Sequence, residues 1–326
     1  MAIVDHYRRH RRDLPWRRTR DPYAIWVSEI MLQQTRVATV IPYWQRWMAQ
    51  FPTVAALAAA EDDAVLAAWA GLGYYSRARN LARGARAVVA AGDGMPRDAA
   101  GLRGLPGVGA YTAGAIASIA YRERVALVDG NVARVLARVR GLDDDVKSTA
   151  GHRRVWAEAE ALVAALPAAA DPGELNQGLM ELGATVCTPT SPRCLDCPLS
   201  GQCVAARDGR QAELPVLPRR RPAAELPRLA EVALWLVRTA RVLVARRAAT
   251  GLYGGLWELP QGVDATAAAA AVGLTLGAAP VELGAHRQTL SHRRLELTLA
   301  RATAAGRARA VGPRYDAVRW VAIADV

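Results

Sequence analysis

All four cysteines of the chain fall in one short stretch, Cys187, Cys194, Cys197 and Cys203, with the spacing C-x6-C-x2-C-x5-C. Four thiolates on one compact loop can surround a single metal centre. The interleaved Pro189, Pro192, Pro198 and Gly201 suit a loop wrapped around such a centre better than a helix. Structural zinc usually arrives on two close C-x2-C pairs, and only one is present here. Two disulfides would require an oxidising compartment. The start of the chain, Met1 to Arg12, has arginines but no apolar run after them, so it does not read as a secretory signal. No apolar run approaches the roughly 18 residues that a membrane span needs. The expectation is a soluble, cytoplasmic, nucleoid-associated monomer without membrane contact, and the donor set then favours a 4Fe–4S cluster, with zinc as the alternative. The quartet contains no acid–base group. Its expected work is to fix a loop whose arginines, such as Arg193, face phosphate.

The chain has 326 residues, enough for two domains. Apolar residues recur at helical spacing over Ile25–Val40, Ala55–Ala70, Ser76–Ala91, Asp98–Tyr121, Asn131–Arg140 and Val155–Leu166. Turns are expected at Gly71-Leu72-Gly73 and Gly107–Gly109. The pattern changes near residue 207. Arg207 to Arg228 holds four prolines and the run Arg219, Arg220, Arg221, which reads as an exposed linker. Short strands follow: Val232–Val237 and Val242–Ala245 as a hairpin, then Leu295–Thr298 and Val318–Ile323, with a helix at Ala265–Leu274. The expected fold class is a mainly α region over residues 1–208, a linker over 209–228, and an α+β domain over 229–326.

A net charge of +12 and a pI near 10.3 point to an acidic polymer as partner. The basic residues are almost all arginine; Lys147 is the single lysine. Leu105-Pro-Gly-Val-Gly109, followed by Ala110-Tyr-Thr-Ala-Gly-Ala115, has the form of a helix–hairpin–helix. Gly107 and Gly109 let the backbone approach a phosphate closely, and the next helix aims its first N–H groups at the anion without reading a base. Two acids stand out. Glu29 sits in the otherwise apolar Trp26-Val-Ser-Glu-Ile-Met-Leu, where its carboxyl would stay protonated near neutrality. Asp129 sits in Val128-Asp-Gly-Asn-Val132; alone it reads as a helix N-cap. Cleaving a glycosidic bond through an oxocarbenium-like state needs one acid for the leaving group and one carboxylate for the developing cation.

Leu14-Pro-Trp-Arg17, Asp21-Pro-Tyr23, Trp26 to Val37, Gly71-Leu-Gly-Tyr-Tyr-Ser-Arg77, Leu105 to Ala113 and Val128 to Val132 together resemble the adenine DNA glycosylase family of the helix–hairpin–helix, endonuclease III superfamily. The resemblance runs from about Asp13 to Cys203, and the cysteine spacing matches that superfamily's 4Fe–4S loop. It implies double-stranded DNA carrying adenine opposite 8-oxoguanine or guanine as substrate. It also implies Glu29 as the acid that protonates adenine and Asp129 as the stabiliser of the sugar cation or the nucleophile of a covalent intermediate, with Tyr111 and Asn131 orienting them. Arg12, Leu14, Trp16, Arg17 and Gln177 match positions lining the adenine pocket. Leu32, Gln34 and Tyr74 match residues that wedge into the duplex. Endonuclease III relatives that cut the strand carry a lysine where Tyr111 stands, so the resemblance implies a monofunctional glycosylase.

The second domain resembles the Nudix-like domain with which this family senses 8-oxoguanine. The stretch between Gly262 and Gly273 contains one acid, Asp264, so the metal-binding helix of a Nudix hydrolase is not expected to work. Leu290-Ser-His292 stands where the family has Phe-Ser-His, which implies Ser291 and His292 as contacts to 8-oxoguanine or its backbone. The competing readings are a thymine- or uracil-type mismatch glycosylase, a non-catalytic DNA-binding protein, and a Nudix hydrolase on a DNA anchor. The first lacks the Trp26-to-Thr35 string, the second would lack Glu29 or Asp129, and the third lacks its metal helix.

Overall fold

The structure, a computed structural model, describes residues 1–218, 222–290 and 292–325. The chain divides into two compact units, Met1–Pro218 and Arg219–Val326. The first is helical among its described residues. Its α-helices are α1 (Ala2–His10), α2 (Pro22–Leu32), α3 (Val37–Gln50), α4 (Val54–Ala59), α5 (Asp62–Trp69), α6 (Ser76–Ala91), α7 (Ala99–Arg103), α8 (Ala110–Tyr121), α9 (Gly130–Arg140), α10 (Thr149–Ala164), α11 (Pro172–Thr185) and α12 (Val204–Arg207).

Local chemistry sets most of these ends. Asp21, Thr53, Asp98, Asp129, Ser148 and Asp171 each cap a helix by accepting a backbone N–H, and Pro22 and Pro172 start α2 and α11 where no N–H is missed. Two expected helices are each two in the structure. Ile25–Val40 breaks at Gln34, whose φ of +57° is left-handed. Ala55–Ala70 breaks at Ala60 and Glu61, both extended. Trp26, Trp47 and Trp69 are fully enclosed, with Trp47 packed edge-on to Trp69 at 5.5 Å between ring centres.

Residues 209–217, read from sequence as exposed linker, pack onto the helical unit. Leu214 is buried and its carbonyl accepts from Arg138 Nε at 2.8 Å, while Val146 N donates to Val216 O. The prolines there shape an attached segment. Arg219, Arg220 and Arg221 lie outside the described residues.

The second unit contains β1 (Arg228–Arg238), β2 (Arg241–Arg247), β3 (Trp257–Glu258), β4 (Gln261–Gly262), the helix α13 (Ala265–Ala270), β5 (Thr275–Leu276), β6 (Val281–Thr289), β7 (Arg294–Ala302), β8 (Ala304–Ala305) and β9 (Tyr315–Ala322). The main sheet runs β3-β2-β1-β7-β6; β4 also pairs with β1, β9 pairs with β2, and β5 with β8 form a second small sheet. The expected β1–β2 hairpin is present, with Val237 opposite Val242. β1 and β7 pair in parallel along their length, from Arg228–Arg294 to Leu236–Ala302. The helix expected over Ala265–Leu274 ends at Ala270, and its alanines pack with Leu234, Leu236, Leu243 and Ala300 to form this unit's core.

A buried ion cluster sits in the same unit. Arg314 donates to both oxygens of Glu231 at 2.6 Å, and Arg247 Nε donates to Glu258 at 2.6 Å. Tyr315 Oη donates to the other oxygen of Glu258 at 2.8 Å. Burial would lift the Glu231 carboxyl, but Arg314 and Arg247 hold it below its ordinary value.

Candidate active site

One cavity of about 590 Å³ gathers most of the residues singled out from the sequence. Arg12, Leu14, Trp16, Arg17, Glu29, Leu32, Gln34, Tyr111, Asp129, Asn131 and Gln177 all line it. They come from five places in the chain: the segment after α1, α2 with its following turn, the start of α8, the start of α9, and α11.

Glu29 projects from α2, whose residues Tyr23 to Met31 are all buried. Its carboxyl accepts a hydrogen bond from Tyr111 Oη at 2.5 Å, and Tyr111 Oη also lies 3.4 Å from Met180 Sδ. Burial raises the Glu29 carboxyl to about 7, aided by the charge of Asp129 and opposed by the Tyr111 hydroxyl and Arg17. This acid is therefore substantially protonated near neutrality. Tyr111 is itself pushed well upward by burial and the two acids, so its hydroxyl remains a proton donor in the hydrogen bond.

Asp129 is both an N-cap and a cavity group. Its Oδ1 accepts from Val132 N at 2.7 Å and its Oδ2 from Asn131 Nδ2 at 2.8 Å. Burial raises this carboxyl too, but the N–H groups of Val132 and Asn131, with Arg134, pull toward the ionised form. Asn131 is oriented in turn, since its Oδ1 accepts from Arg134 Nη2 at 2.8 Å. Gly183 of α11 lets that segment approach: a Cβ there would meet Asn131 Cβ at 2.6 Å.

The sequence reading missed Glu181 and the helix α11 that carries it. Glu181 accepts from Arg12 Nη2 at 2.7 Å and Arg17 Nη2 at 2.8 Å. Burial works against its charge, but the two guanidiniums hold its carboxyl down at about 2. Tyr7 Oη donates to Gln177 Oε1 at 2.9 Å, so α1 also buttresses the cavity. The capping pair Asp171-Pro172 and the apolar spacing Leu175, Leu179, Leu182 were signals for α11.

Other expected residues lie outside the cavity lining. Tyr74 is half exposed in a left-handed conformation, with φ +47°. Gly107 has φ +76°, and a Cβ there would meet Asn80 Cβ at 2.6 Å, so the hairpin needs glycine twice over. Gly109 begins α8 with no side-chain cap, which leaves the first N–H groups of that helix without a side-chain acceptor. Lys147 is exposed in the loop before α10 and is not among the cavity residues. His292 is exposed in the turn from β6 to β7, closed by Leu290 N to Arg293 O at 2.8 Å; Ser291 lies outside the described residues.

Cys187, Cys194, Cys197 and Cys203 line one further cavity, walled by Val135, Val139, Leu182 and Val186. No group of three or more His, Cys, Asp or Glu among the described residues is placed to hold a metal ion. Arg138 Nη1 donates to Cys187 Sγ at 3.4 Å and Gln211 Nε2 to Cys194 Sγ at 3.8 Å. Four thiols around one apolar hollow, with N–H donors on two sulfurs, suit a cluster better than a solvated ion. Arg193, expected to face phosphate, donates to Thr185 O at the end of α11 and pairs with Asp196. No helix of the described residues is long and apolar enough to cross a membrane.

Residues 27–159 match the HhH-GPD superfamily of base excision DNA repair proteins, and residues 232–326 match the NUDIX domain. The chain is 45% identical to the adenine DNA glycosylase of Mycolicibacterium smegmatis over 203 residues, covering 61% of this chain and 67% of that protein. The chain belongs to the adenine DNA glycosylase family. It is also 51% identical to the human adenine DNA glycosylase over 223 residues, covering 65% of this chain and 40% of the human protein. The chain thus spans less than half the length of its mammalian relatives. Among solved structures, a thermostable thymine-DNA glycosylase superposes with a TM-score of 0.57 at 30% identity, covering 64% of this chain and 94% of the other. An endonuclease III in complex with DNA shares the fold, with a TM-score of 0.53, 22% identity and coverage of 64% of this chain and 94% of that one.

Proposed function

We propose that this chain removes adenine from double-stranded DNA where it stands opposite 8-oxoguanine or guanine, by hydrolysing the N-glycosidic bond. The observation that carries the proposal is Glu29: a buried carboxyl held near pH 7, in a cavity shared with a second acid. A neutral carboxyl gives a proton to a departing purine, which would otherwise leave as an anion. Asp129, fixed by Val132 N and Asn131, faces the cation that develops on the sugar or bonds to it. The proton goes from Glu29 to adenine and the C–N electron pair leaves with the base; water then adds as hydroxide to the sugar carbon and its remaining proton returns to the Glu29 carboxylate. Glu181, kept ionised by Arg12 and Arg17, is an acceptor suited to the exocyclic amine of adenine. Thymine lacks that amine, which favours adenine over the substrate named for the thymine-DNA glycosylase.

The duplex is held without base readout by the Gly107–Gly109 turn and the open start of α8. Extruding the adenine costs a few kcal/mol of stacking, offset by the side chains of Leu32, Gln34 and Tyr74 entering the stack. The four cysteines would hold a 4Fe–4S cluster, whose contribution is to fix the loop structurally. Ser291 and His292 of the second unit would contact the 8-oxoguanine opposite. With Tyr111 beside Glu29 and the single lysine outside the cavity lining, the enzyme is monofunctional.

Duplexes carrying A opposite 8-oxoguanine, A opposite G, A opposite T and U opposite G, treated afterwards with hot alkali, test the proposal. Breakage is expected for the first two alone and only after alkali. Breakage of the U:G duplex without the A:8-oxoguanine duplex would overturn it, and strand cutting without alkali would overturn the monofunctional assignment. A visible iron–sulfur absorption band, absent after substitution of Cys197, tests the cluster.

A further inference from the structure

Arg77, in the first turn of α6, is 9% exposed and takes no part in the chemistry above. Burial pushes its guanidinium below its ordinary value, no carboxylate pairs with it among the described residues, and its Nε is buried without a hydrogen-bond partner. A buried cation without a counter-ion carries a desolvation cost that its hydrogen bonds must offset.

Those bonds join two separate turns. Nη1 donates to Ile30 O at 2.9 Å, Met31 O at 3.1 Å and Gln33 O, all at the end of α2. Nη2 donates to Leu72 O at 3.0 Å, Gly73 O at 3.2 Å and Thr35 Oγ1 at 3.3 Å. Each turn presents one exposed side chain on a left-handed backbone, Gln34 on the first and Tyr74 on the second. A left-handed non-glycine residue is held only when its surroundings over-determine it. The guanidinium also lies 5.6 Å from the Tyr74 ring centre and 5.2 Å from that of Trp69.

We infer that Arg77 is a positioning residue that locks the Gln34 and Tyr74 turns to each other, so that both side chains enter the duplex as one rigid element. The functional half of this inference rests on the glycosylase reading above. A planar fork spreads its donors over two nitrogens and so reaches both turns at once; a lysine ammonium has three N–H groups but all on one nitrogen, and does not span both sets of acceptors. The buried charge alone therefore does not do the work, and Arg77→Lys separates charge from bridge.

Two measurements on full-length Arg77→Lys and Arg77→Met decide it. Hydrogen exchange in the free protein tests the bridge and needs no activity. Amides over residues 33–36 and 72–75 should speed up together in both variants while those of α8 and α11 stay unchanged; loosening of one turn alone overturns the bridge. On an A:8-oxoguanine duplex with 2-aminopurine beside the adenine, the lysine variant should keep its active fraction in a burst titration and its pH profile. Its single-turnover rate should fall on the order of 10- to 100-fold, as expected when a remote change misplaces reacting groups, with a smaller fluorescence rise on binding. A loss confined to the active fraction, or an unchanged rate per active molecule, would reduce Arg77 to a stabilising role. Inactivity of the parent would instead count against the glycosylase reading, leaving the exchange result to decide the bridge.

Discussion

The two units bury acids in opposite ways. In the helical unit, Glu29 is enclosed with a tyrosine hydroxyl as its direct hydrogen-bond partner, and its carboxyl rises to about 7. In the sheet unit, Glu231 is enclosed between two guanidiniums and goes the other way. Burial without a directly bonded counter-ion yields a group that can give up a proton near neutrality. Burial with counter-ions yields a satisfied structural cluster with no proton to give. The cavity repeats the contrast within its own lining, since Glu181, held by Arg12 and Arg17, stays ionised in the same cavity as Glu29. Charge pairing therefore sorts the buried acids by role more sharply than burial does.

That contrast can be broken experimentally. The largest effect is expected from Glu29→Gln, which should lower single-turnover adenine release by about 10²- to 10⁴-fold while leaving duplex binding, read by gel shift, within a small factor. Next, Arg314→Met removes the two-pronged partner of Glu231 in the sheet unit and leaves it only Arg247, at 3.7 Å. Breaking a buried pair in this way costs up to about 3 kcal/mol, measurable by urea unfolding of the full chain, whereas Glu29→Gln should not destabilise it. The sign for Glu29 follows from its raised pKa. The stability it contributes is complete below 4.5 and is lost as pH rises through about 7. Glu29→Gln should therefore gain in melting temperature relative to the parent at pH 8.5 but not at pH 5. Glu181 has the reverse sign: its contribution, present above 4.5, disappears as pH falls toward about 2. The smallest effect is expected from Tyr111→Phe. Removing a donor that favours the charged form raises the Glu29 pKa further, so the alkaline limb of the rate profile should move to higher pH, with a rate loss of about tenfold or less.

Much of the helical unit was legible because its signals are local. The helix Ser76–Ala91 and the break at Gly107–Gly109 follow from spacing and glycine alone. Glu29 was legible because a lone acid interrupts an apolar helix. Glu181 was not, because its meaning depends on two arginines more than 160 residues away in sequence. The same holds for Arg77, whose acceptors are carbonyls that no sequence pattern marks. In the sheet unit, β6 escaped notice since all nine of its residues are exposed and leave no alternation to read. The short strands β3, β4, β5 and β8 are two residues each, too brief for a period of two to show. The segment 209–217 was read as linker because proline-rich composition says nothing about which surface it packs on.

The central claim is that Glu29 acts as a buried acid, protonated at neutrality, in adenine release. The pH dependence of single-turnover adenine release from an A:8-oxoguanine duplex, from pH 5.5 to 9 by quench and alkali, tests it most directly. The account predicts a rate that falls as pH rises through about 7, a limb that vanishes with the residual activity of Glu29→Gln. A rate that is flat across this range, or a limb that persists unchanged in Glu29→Gln, would contradict it.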